Sequence, residues 1–352
     1  MQSLRSWYTQ WYPPSPTFTE VDVPSQVGKV FLVTGCNAGI GFELCKLLYA
    51  TGATIYLTTR TEELGEETIK KITSTVPKPD TPGILKPLPL DLSDFESIKA
   101  AVKRFSGQET HLDVLWNNAG VGSFGLPAGF TTKQGLNCHI GINAVGPLLL
   151  TKLLLPTLQA AAKKSAAELE SPAEGTTARR NPGRVRVVWA SSNMVDTYSP
   201  RGGIDIELIR RGGSGDVNQN YAMSKVANWA FAAEMARRYG SGEDGIVAVA
   251  QNPGNLNTGA FKGAPEALMM VLRPLTLSEP KYGAYTELFA GLAPEVAEHG
   301  SGAYVIPWGR VMPEERMARQ DIVKAFKPVD QGGQGLSEEF WAWCEDQLEA
   351  AD

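Results

Sequence analysis

Tyr221 and Lys225, four residues apart, are the pair in this chain best suited to moving a proton. Both fall on a stretch that reads as a helix starting near Asn218, so the two side chains share one face. A phenol with an ordinary pKa near 10 is a poor base at neutral pH. A neighbouring ammonium favours the phenolate and brings proton transfer into a useful range. The spacing alone carries little weight, because a chain of this composition should show Tyr-x-x-x-Lys roughly 0.5 times by chance. Its weight comes from what precedes it. In order along the chain stand Thr34-Gly35-Cys36-Asn37-Ala38-Gly39-Ile40-Gly41, then Asn117-Asn118-Ala119-Gly120, Asn143, and the pair Ser191-Ser192.

The glycine-rich stretch follows an apolar, β-rich run at residues 29–34 and opens an amphipathic helical run at 42–48. That is the context in which such a turn binds a dinucleotide. Gly35 permits the tight turn, Gly39 lets backbone approach a pyrophosphate, and Gly41 lets the helix pack close to the sheet. The helix start then offers unpaired N–H groups to negative phosphates. At the end of the second strand an acidic residue would bind a ribose 2′-hydroxyl and a basic one a 2′-phosphate. Arg60 stands there, in Thr58-Thr59-Arg60-Thr61, which favours NADP(H). The alternative is an Arg60 that points to solvent or pairs with Glu62 or Glu63.

These residues need elements to hold them. Short β-rich runs at 29–34, 53–58, 84–90, 112–116, 184–190, 246–251 and 302–306 alternate with helical stretches, the pattern of parallel βαβ units. We therefore expect an α/β fold: a single Rossmann-type doubly wound domain with a seven-stranded parallel sheet flanked by helices. It should span residues 28–312, after an N-terminal extension (1–27) and before a C-terminal helical tail (313–352). Three stretches interrupt the rhythm: 161–183, read as a helix extension and a surface loop; 193–219, a long connection; and 259–277, read as a substrate lid.

The 352 residues are 43% hydrophobic and 20% charged, as in a water-soluble globular protein. A net charge of −5 argues against nucleic acid or anionic membrane as the main partner. Cys36, Cys45, Cys138 and Cys344 have no C-x-x-C spacing, and with His111, His139 and His299 they build no zinc pattern, so no metal is expected. Reduced thiols and the lack of a secretory pattern point to the cytoplasm. The apolar run from Gly146 to Leu158 is interrupted by Lys152 and Pro156 and is too short for a membrane span. Trp7, Tyr8, Trp11 and Tyr12 in the extension are read as packing back over the domain, the alternative being an arm that docks on a membrane or partner.

Taken together, the glycine turn, Asn118-Ala119-Gly120, Asn143, Ser192, Tyr221 and Lys225 resemble the short-chain dehydrogenase/reductase family over about residues 21–310. The long connection from Ser192 to Tyr221 resembles its retinol-dehydrogenase-like branch. Arg186 to Ser192, Asn252 to Leu256 and Tyr304 to Arg310 look like a large fungal subgroup, many of whose members act in secondary metabolism. The resemblance implies hydride transfer between a nicotinamide cofactor and a carbonyl or alcohol carbon. It makes Tyr221 the acid in reduction and the base in oxidation, and Lys225 a holder of the nicotinamide ribose. Ser192 would hydrogen-bond the substrate oxygen, and Asn143 would bend its helix and hold a proton-relay water. Within the turn, Gly35, Asn37, Gly39, Ile40 and Gly41 would face the cofactor phosphates. Asp91 and Leu92 would flank the adenine, Asn118 would steady the sheet, and Ala119 and Gly120 would admit the ribose. Pro253 and Gly254 would line the nicotinamide, with Thr258 on its carboxamide. Family members often pair through the helices carrying the equivalents of Asn143 and Tyr221, so a homodimer is possible, which residues 161–183 and the tail (Trp341, Trp343) would support or block.

Phe124, Met194, Tyr198, Phe261, Leu268, Met269 and Met270 are the candidates for a substrate pocket, which would suit a bulky apolar or aromatic small molecule. At helical spacing the same residues also serve as lid packing or core. The expected activity is NADPH-dependent, reversible reduction of a ketone or aldehyde of a hydrophobic small molecule. The alternatives are an NAD(P)+-dependent alcohol dehydrogenase in biosynthesis and a non-catalytic NADPH-binding regulator.

Overall fold

The computed structural model describes residues 2–124, 129–170, 185–241, 245–259, 269–270 and 276–350. Its sheet has eight strands: β1 (Val30–Val33), β2 (Thr54–Thr59), β3 (Ile84–Pro89), β4 (Val114–Asn117), β5 (Arg186–Ala190), β6 (Val247–Gln251), β7 (Tyr304–Ile306) and β8 (Arg310–Met312). Their spatial order is β3-β2-β1-β4-β5-β6-β7-β8. The first seven are parallel and match the expected runs to within two residues at each end. The eighth corrects the expectation of a seven-stranded, all-parallel sheet: β8 folds back antiparallel on β7, pairing Tyr304 with Met312 and Ile306 with Arg310. Three residues containing one arginine carry no strand periodicity, so only the pairing with β7 defines β8.

The central strands are buried along their whole length, as expected of parallel strands covered on both faces. Pro87 and Pro89 lie in β3, the edge strand, where a missing N–H interrupts no inner ladder. One face of the sheet is covered by a core around Trp189, Phe231, Leu148 and Leu150, the other by a core around Phe31, Trp116, Leu288 and Phe289. The strand order reverses between β1 and β4, and in such sheets the crevice at the carboxyl ends of those strands is where ligands bind.

Helix α1 (Gln2–Trp11) lies in the N-terminal extension. After it come α2 (Gly39–Tyr49), α3 (Glu62–Thr75) and α4 (Phe95–Ser106). A helix begins as α5 (Cys138–Ile140), passes through a π-helical turn (Gly141–Val145) and continues as α6 (Gly146–Glu170). The apolar run is therefore part of a longer helix than the sequence suggested. Cys138–Ala167 is long and apolar enough to cross a membrane by length and composition alone, yet 78% of its apolar window is buried inside the fold, which marks it as a core helix. Of the insert 161–183, residues up to 170 continue this helix, and the remainder lies outside the described residues.

The connection after β5 contains α7 (Met194–Tyr198) and α8 (Ile206–Arg210), then α9 (Val217–Tyr239), which carries Tyr221 and Lys225. Beyond β6 follow α10 (Pro280–Leu292) and α11 (Pro294–His299), and the tail adds α12 (Gln320–Phe326) and α13 (Leu336–Glu349). α13 lies on α9 and reaches α6. Phe340 stacks on Phe231 at 5.6 Å, Arg238 sits 4.9 Å from the Trp341 ring, and Lys152 pairs with Glu345. The chain's own tail thus occupies part of the face through which pairing was expected. α1 likewise packs back on the domain, with Ser6 and Gln10 buried.

Candidate active site

The turn between β1 and α2 is built from close backbone approach. Gly35 has φ +73°, and a β-carbon there would lie 2.9 Å from that of Ala119. At Gly41 a β-carbon would meet the Gly35 carbonyl oxygen at 2.5 Å and Asn118 Nδ2 at 2.6 Å. Asn118 Nδ2 donates to the Thr34 carbonyl at 2.7 Å. Thr34 Oγ1 donates to the Trp116 carbonyl and accepts the Ala119 N–H. These bonds stitch the ends of β1 and β4 together at the switch point. Helix α2 starts at Gly39 with no side-chain cap from Ala38, so its first N–H groups are left for another acceptor. A cradle without β-carbons beneath an uncapped helix start fits a dinucleotide pyrophosphate. Asn37 is exposed on this turn, whereas Ile40 packs its side chain toward Gly283 and can present only backbone.

Asn143, Ser192, Tyr221 and Lys225 converge at the ends of β4 and β5. Asn143 is fully buried within the π-helical turn. Its Oδ1 accepts the Val121 N–H at 2.7 Å, and its Nδ2 donates to the Val121 carbonyl and to Ser224 Oγ, each at 3.0 Å. Ser224 Oγ donates in turn to the Tyr221 carbonyl at 2.7 Å. Both amide protons are thus used by protein. The side chain ties the loop after β4 to the second turn of α9. Ser224 and Val121 complete that tie, and neither stood out in the sequence. Gly120 is hemmed in by the same groups, since a β-carbon on it would lie 3.0 Å from Asn143 Oδ1 and 3.2 Å from Lys225 Nζ.

Lys225 is buried and donates to the Ala190 carbonyl at 2.9 Å, with its Nζ 5.8 Å from the Tyr221 ring centre. Burial lowers its pKa to about 8, against the attraction of Glu287. The Tyr221 phenol is raised above its ordinary value by burial, with a hydrogen bond from Ser192 working in the opposite direction. Burial therefore sets the direction for the phenol here, while the Lys225 ammonium is held on the Ala190 carbonyl. Glu287, on α10, sits fully buried behind the lysine, accepts a bond from Gln251 at 2.8 Å, and is lifted by burial to about 8.

His139, met in the sequence only as one of three scattered histidines, lies edge-on to Tyr221 at 6.1 Å. Its Nε2 faces the Gly122 carbonyl at 3.1 Å and so carries the ring proton. Burial lowers its pKa, the Gly122 bond opposes this, and the charge of Lys225 adds to the lowering. No spacing pattern links His139 to Tyr221, so only tertiary structure reveals the pair.

Arg60 follows β2 directly and is exposed. Glu62, one of the two carboxylates considered as its partner, is taken by Arg104 through bonds of 2.5 and 2.7 Å. Asp91 spends its carboxylate on the Ser93 N–H and hydroxyl, and the Leu92 side chain is core, so near an adenine these positions offer mainly backbone. Pro253 and Gly254 lie beyond the end of β6, half-buried, and Thr258 comes within 3.6 Å of where a β-carbon on Gly39 would stand. The loop after β6 therefore closes over the glycine turn.

Among the substrate candidates, Phe124 and Met194 are half-buried and Tyr198 is 45% exposed on α7. Met269 is buried and so belongs to packing rather than to an open wall, while Met270 is exposed. Phe261 and Leu268 lie outside the described residues, as does most of the expected lid at 259–277. Among the described residues no cluster of His, Cys, Asp and Glu could hold a metal ion.

Comparison with known proteins agrees with this geometry. A family model for short chain dehydrogenases matches residues 29–173. The chain is 45% identical over 347 residues, 98% of each chain, to a protein of Pestalotiopsis fici named short-chain dehydrogenase/reductase iacJ. It is 39% identical to a short-chain dehydrogenase/reductase of Phomopsis amygdali, over 98% of this chain and 97% of that one. In fold it resembles a 3-ketoacyl-(acyl-carrier-protein) reductase from Brucella melitensis complexed with NADH (TM-score 0.56, 19% identity, 81% of this chain and 99% of that one). With a relative this similar along nearly its whole length, and with the glycine turn and the Asn143, Ser192, Tyr221 and Lys225 cluster assembled at one switch point, the chain belongs to the short-chain dehydrogenase/reductase family.

Proposed function

We propose that this chain is an NADPH-dependent reductase that converts a ketone or aldehyde of a hydrophobic small molecule to an alcohol, and that runs in reverse when alcohol and NADP+ are supplied. The observation that carries the reading is the convergence of Ser192, Tyr221 and Lys225 beside the dinucleotide cradle. The cofactor, when bound, supplies hydride for the carbonyl carbon. Ser192 Oγ donates a hydrogen bond to the carbonyl oxygen and Tyr221 gives that oxygen its phenolic proton, so the two steps together yield the alcohol. Raised above its ordinary value by burial, the phenol is fully protonated at neutral pH, as an acid must be. Lys225, with a pKa of about 8, is largely ammonium at pH 7, and its charge favours the phenolate left behind. Asn143 holds the loop at Val121 and the second turn of α9 in register.

Arg60 supports NADPH over NADH, because it is exposed at the end of β2 while Arg104 occupies Glu62. The half-buried Phe124 and Met194 and the exposed Tyr198 support an apolar or aromatic substrate. The fungal relatives suggest a place in secondary metabolism, and four free, buried thiols suit a reducing compartment such as the cytoplasm. Fluorescence titration of the protein and of Arg60→Glu with NADPH and NADH tests the cofactor. We expect tighter NADPH binding, with the preference lost in the variant by at least 10-fold. Equal binding of NADH to the unaltered protein would remove the support for NADPH, and binding of neither would end the dehydrogenase reading.

A further inference from the structure

The N-terminal extension reaches both sides of the site through one buried side chain. Gln10, on α1, accepts a bond from Asn252 Nδ2 at 2.8 Å through its Oε1. Its Nε2 donates to Asp196 Oδ2 and to Ser6 Oγ, each at 3.3 Å. Asn252 is buried at the end of β6, directly before Pro253 and Gly254, and its Oδ1 accepts the Gly254 N–H at 3.0 Å. Asp196 lies in α7, four residues beyond Ser192. One amide therefore joins the loop expected at the nicotinamide to the helix that follows the substrate-binding serine.

The polarity of this link is fixed. Asn252 uses its oxygen on Gly254, so it offers Gln10 an N–H; Gln10 must answer with its oxygen and turn its own amide protons to the Asp196 carboxylate. The cavity beside Gln10, lined by Ser6, Asp196, Tyr304 and Met317, holds about 10 Å³, room for about one water beside these direct bonds. A second fixture holds the helix in place. Arg310 of β8 donates to Thr9 Oγ1 at 2.7 Å and to the Thr9 carbonyl at 2.6 Å, and also to the Pro307 carbonyl.

We infer that Gln10 is a positioning residue for the nicotinamide end of the cofactor seat, and that α1 is a wall of the active site. The inference rests on the dinucleotide reading above and concerns only half of the cofactor. The adenine half is seated on β1, β2 and α2, none of which Gln10 bonds.

The test compares each dinucleotide with its nicotinamide-free fragment on the full chain: NADPH against 2′-phospho-ADP-ribose, and NADH against ADP-ribose. Gln10→Leu should weaken the dinucleotide roughly 5- to 10-fold, the scale of one or two lost hydrogen bonds, while fragment binding stays within about twofold. Hydrogen exchange should rise at residues 194–198 and 252–258 and stay unchanged in β1 and β2. Gln10→Glu keeps the shape, and the pH dependence of its effect is a readout that lost packing alone does not give. It sets a carboxylate against Asp196, whose own pKa burial has lifted to about 6 against the Gln10 hydrogen bond and the charge of Arg319. Tyr304 and Arg319 face Asp196 equally in both proteins, so the ratio of variant to unaltered affinity isolates position 10. That ratio should recover as pH falls, beginning above the Asp196 value of about 6, because the lost Gln10 donor and the added like charge both raise that carboxyl and a proton on either one relieves the repulsion. Unchanged dinucleotide affinity in Gln10→Leu, or equal loss of dinucleotide and fragment, would overturn the proposal. Failure of the unaltered chain to bind either dinucleotide would instead sink the cofactor reading beneath it.

Discussion

The two halves of this site are built differently. Around the cofactor turn, backbone meets backbone: Gly35, Gly41, Ala119 and Asn118 lie at distances no added β-carbon could share, and the bonds run between neighbouring strands. Around the nicotinamide and substrate end the walls are loops, held by long polar side chains from outside the central sheet. Gln10 comes from the N-terminal helix. Arg319 comes from the tail, donating to the carbonyls of Val195, Ser199 and Pro200 and pairing with Asp321 at 2.7 Å; Asp321 in turn accepts the Gly202 N–H. The contrast teaches where specificity can change. A backbone cradle tolerates almost no substitution, whereas a loop tied by side chains can be re-tied to fit another substrate.

The largest effect should come where the halves meet. Tyr221→Phe removes the phenolic hydroxyl but little volume, so turnover should fall by a factor of about 10³ or more while NADPH affinity holds. Loss of binding together with turnover would show that Tyr221 supports the seat rather than the chemistry. Gly41→Ala strikes the cofactor half alone. Its β-carbon meets backbone at 2.5 Å, so dinucleotide affinity should drop at least 10-fold with a stability loss on the order of 1–3 kcal/mol, read by titration and thermal melting. Arg319→Ala strikes the other half. Removing a charged donor to three carbonyls should cost about 2 kcal/mol of stability and raise KM for carbonyl substrates several-fold, with NADPH affinity unchanged. Equal effects of these two variants on cofactor and substrate would erase the distinction between the halves.

A smaller effect is expected from pH. Lys225 carries a lowered pKa of about 8, so it loses its charge as pH rises through 8. The Tyr221 phenol is raised above its ordinary value and is still protonated there. Reductive kcat/KM should therefore decline as pH rises through 8 and reach a plateau only below about pH 7. A decline appearing only near pH 10 would assign the limb to the phenol instead.

Much of the cofactor half was legible from the residues in order. A glycine turn between a β-rich run and an amphipathic run is a contiguous signal, and its physics is local: a positive φ, a close approach, an uncapped helix start. Seven strands were equally readable, because parallel strands buried on both faces are written as short apolar runs. β8 was not, since three residues of mixed character become a strand only against β7. Nor was the carrier of Lys225's hydrogen bond, the Ala190 carbonyl, or the place of His139 beside Tyr221.

The substrate walls belong wholly to tertiary structure. Gln10 meets Asp196 across 186 positions and Asn252 across 242, and no periodicity or spacing records such partners. The same holds for the pKa values. Residue type sets the starting point for Tyr221, Lys225 and Glu287, but burial moves each of them, and burial depends on what the rest of the chain stacks above it. Local geometry and hydrophobic pattern are properties of neighbours in the chain, and so a sequence displays them. Desolvation and long-range hydrogen bonds are properties of neighbours in space, and they exist only once the chain has folded.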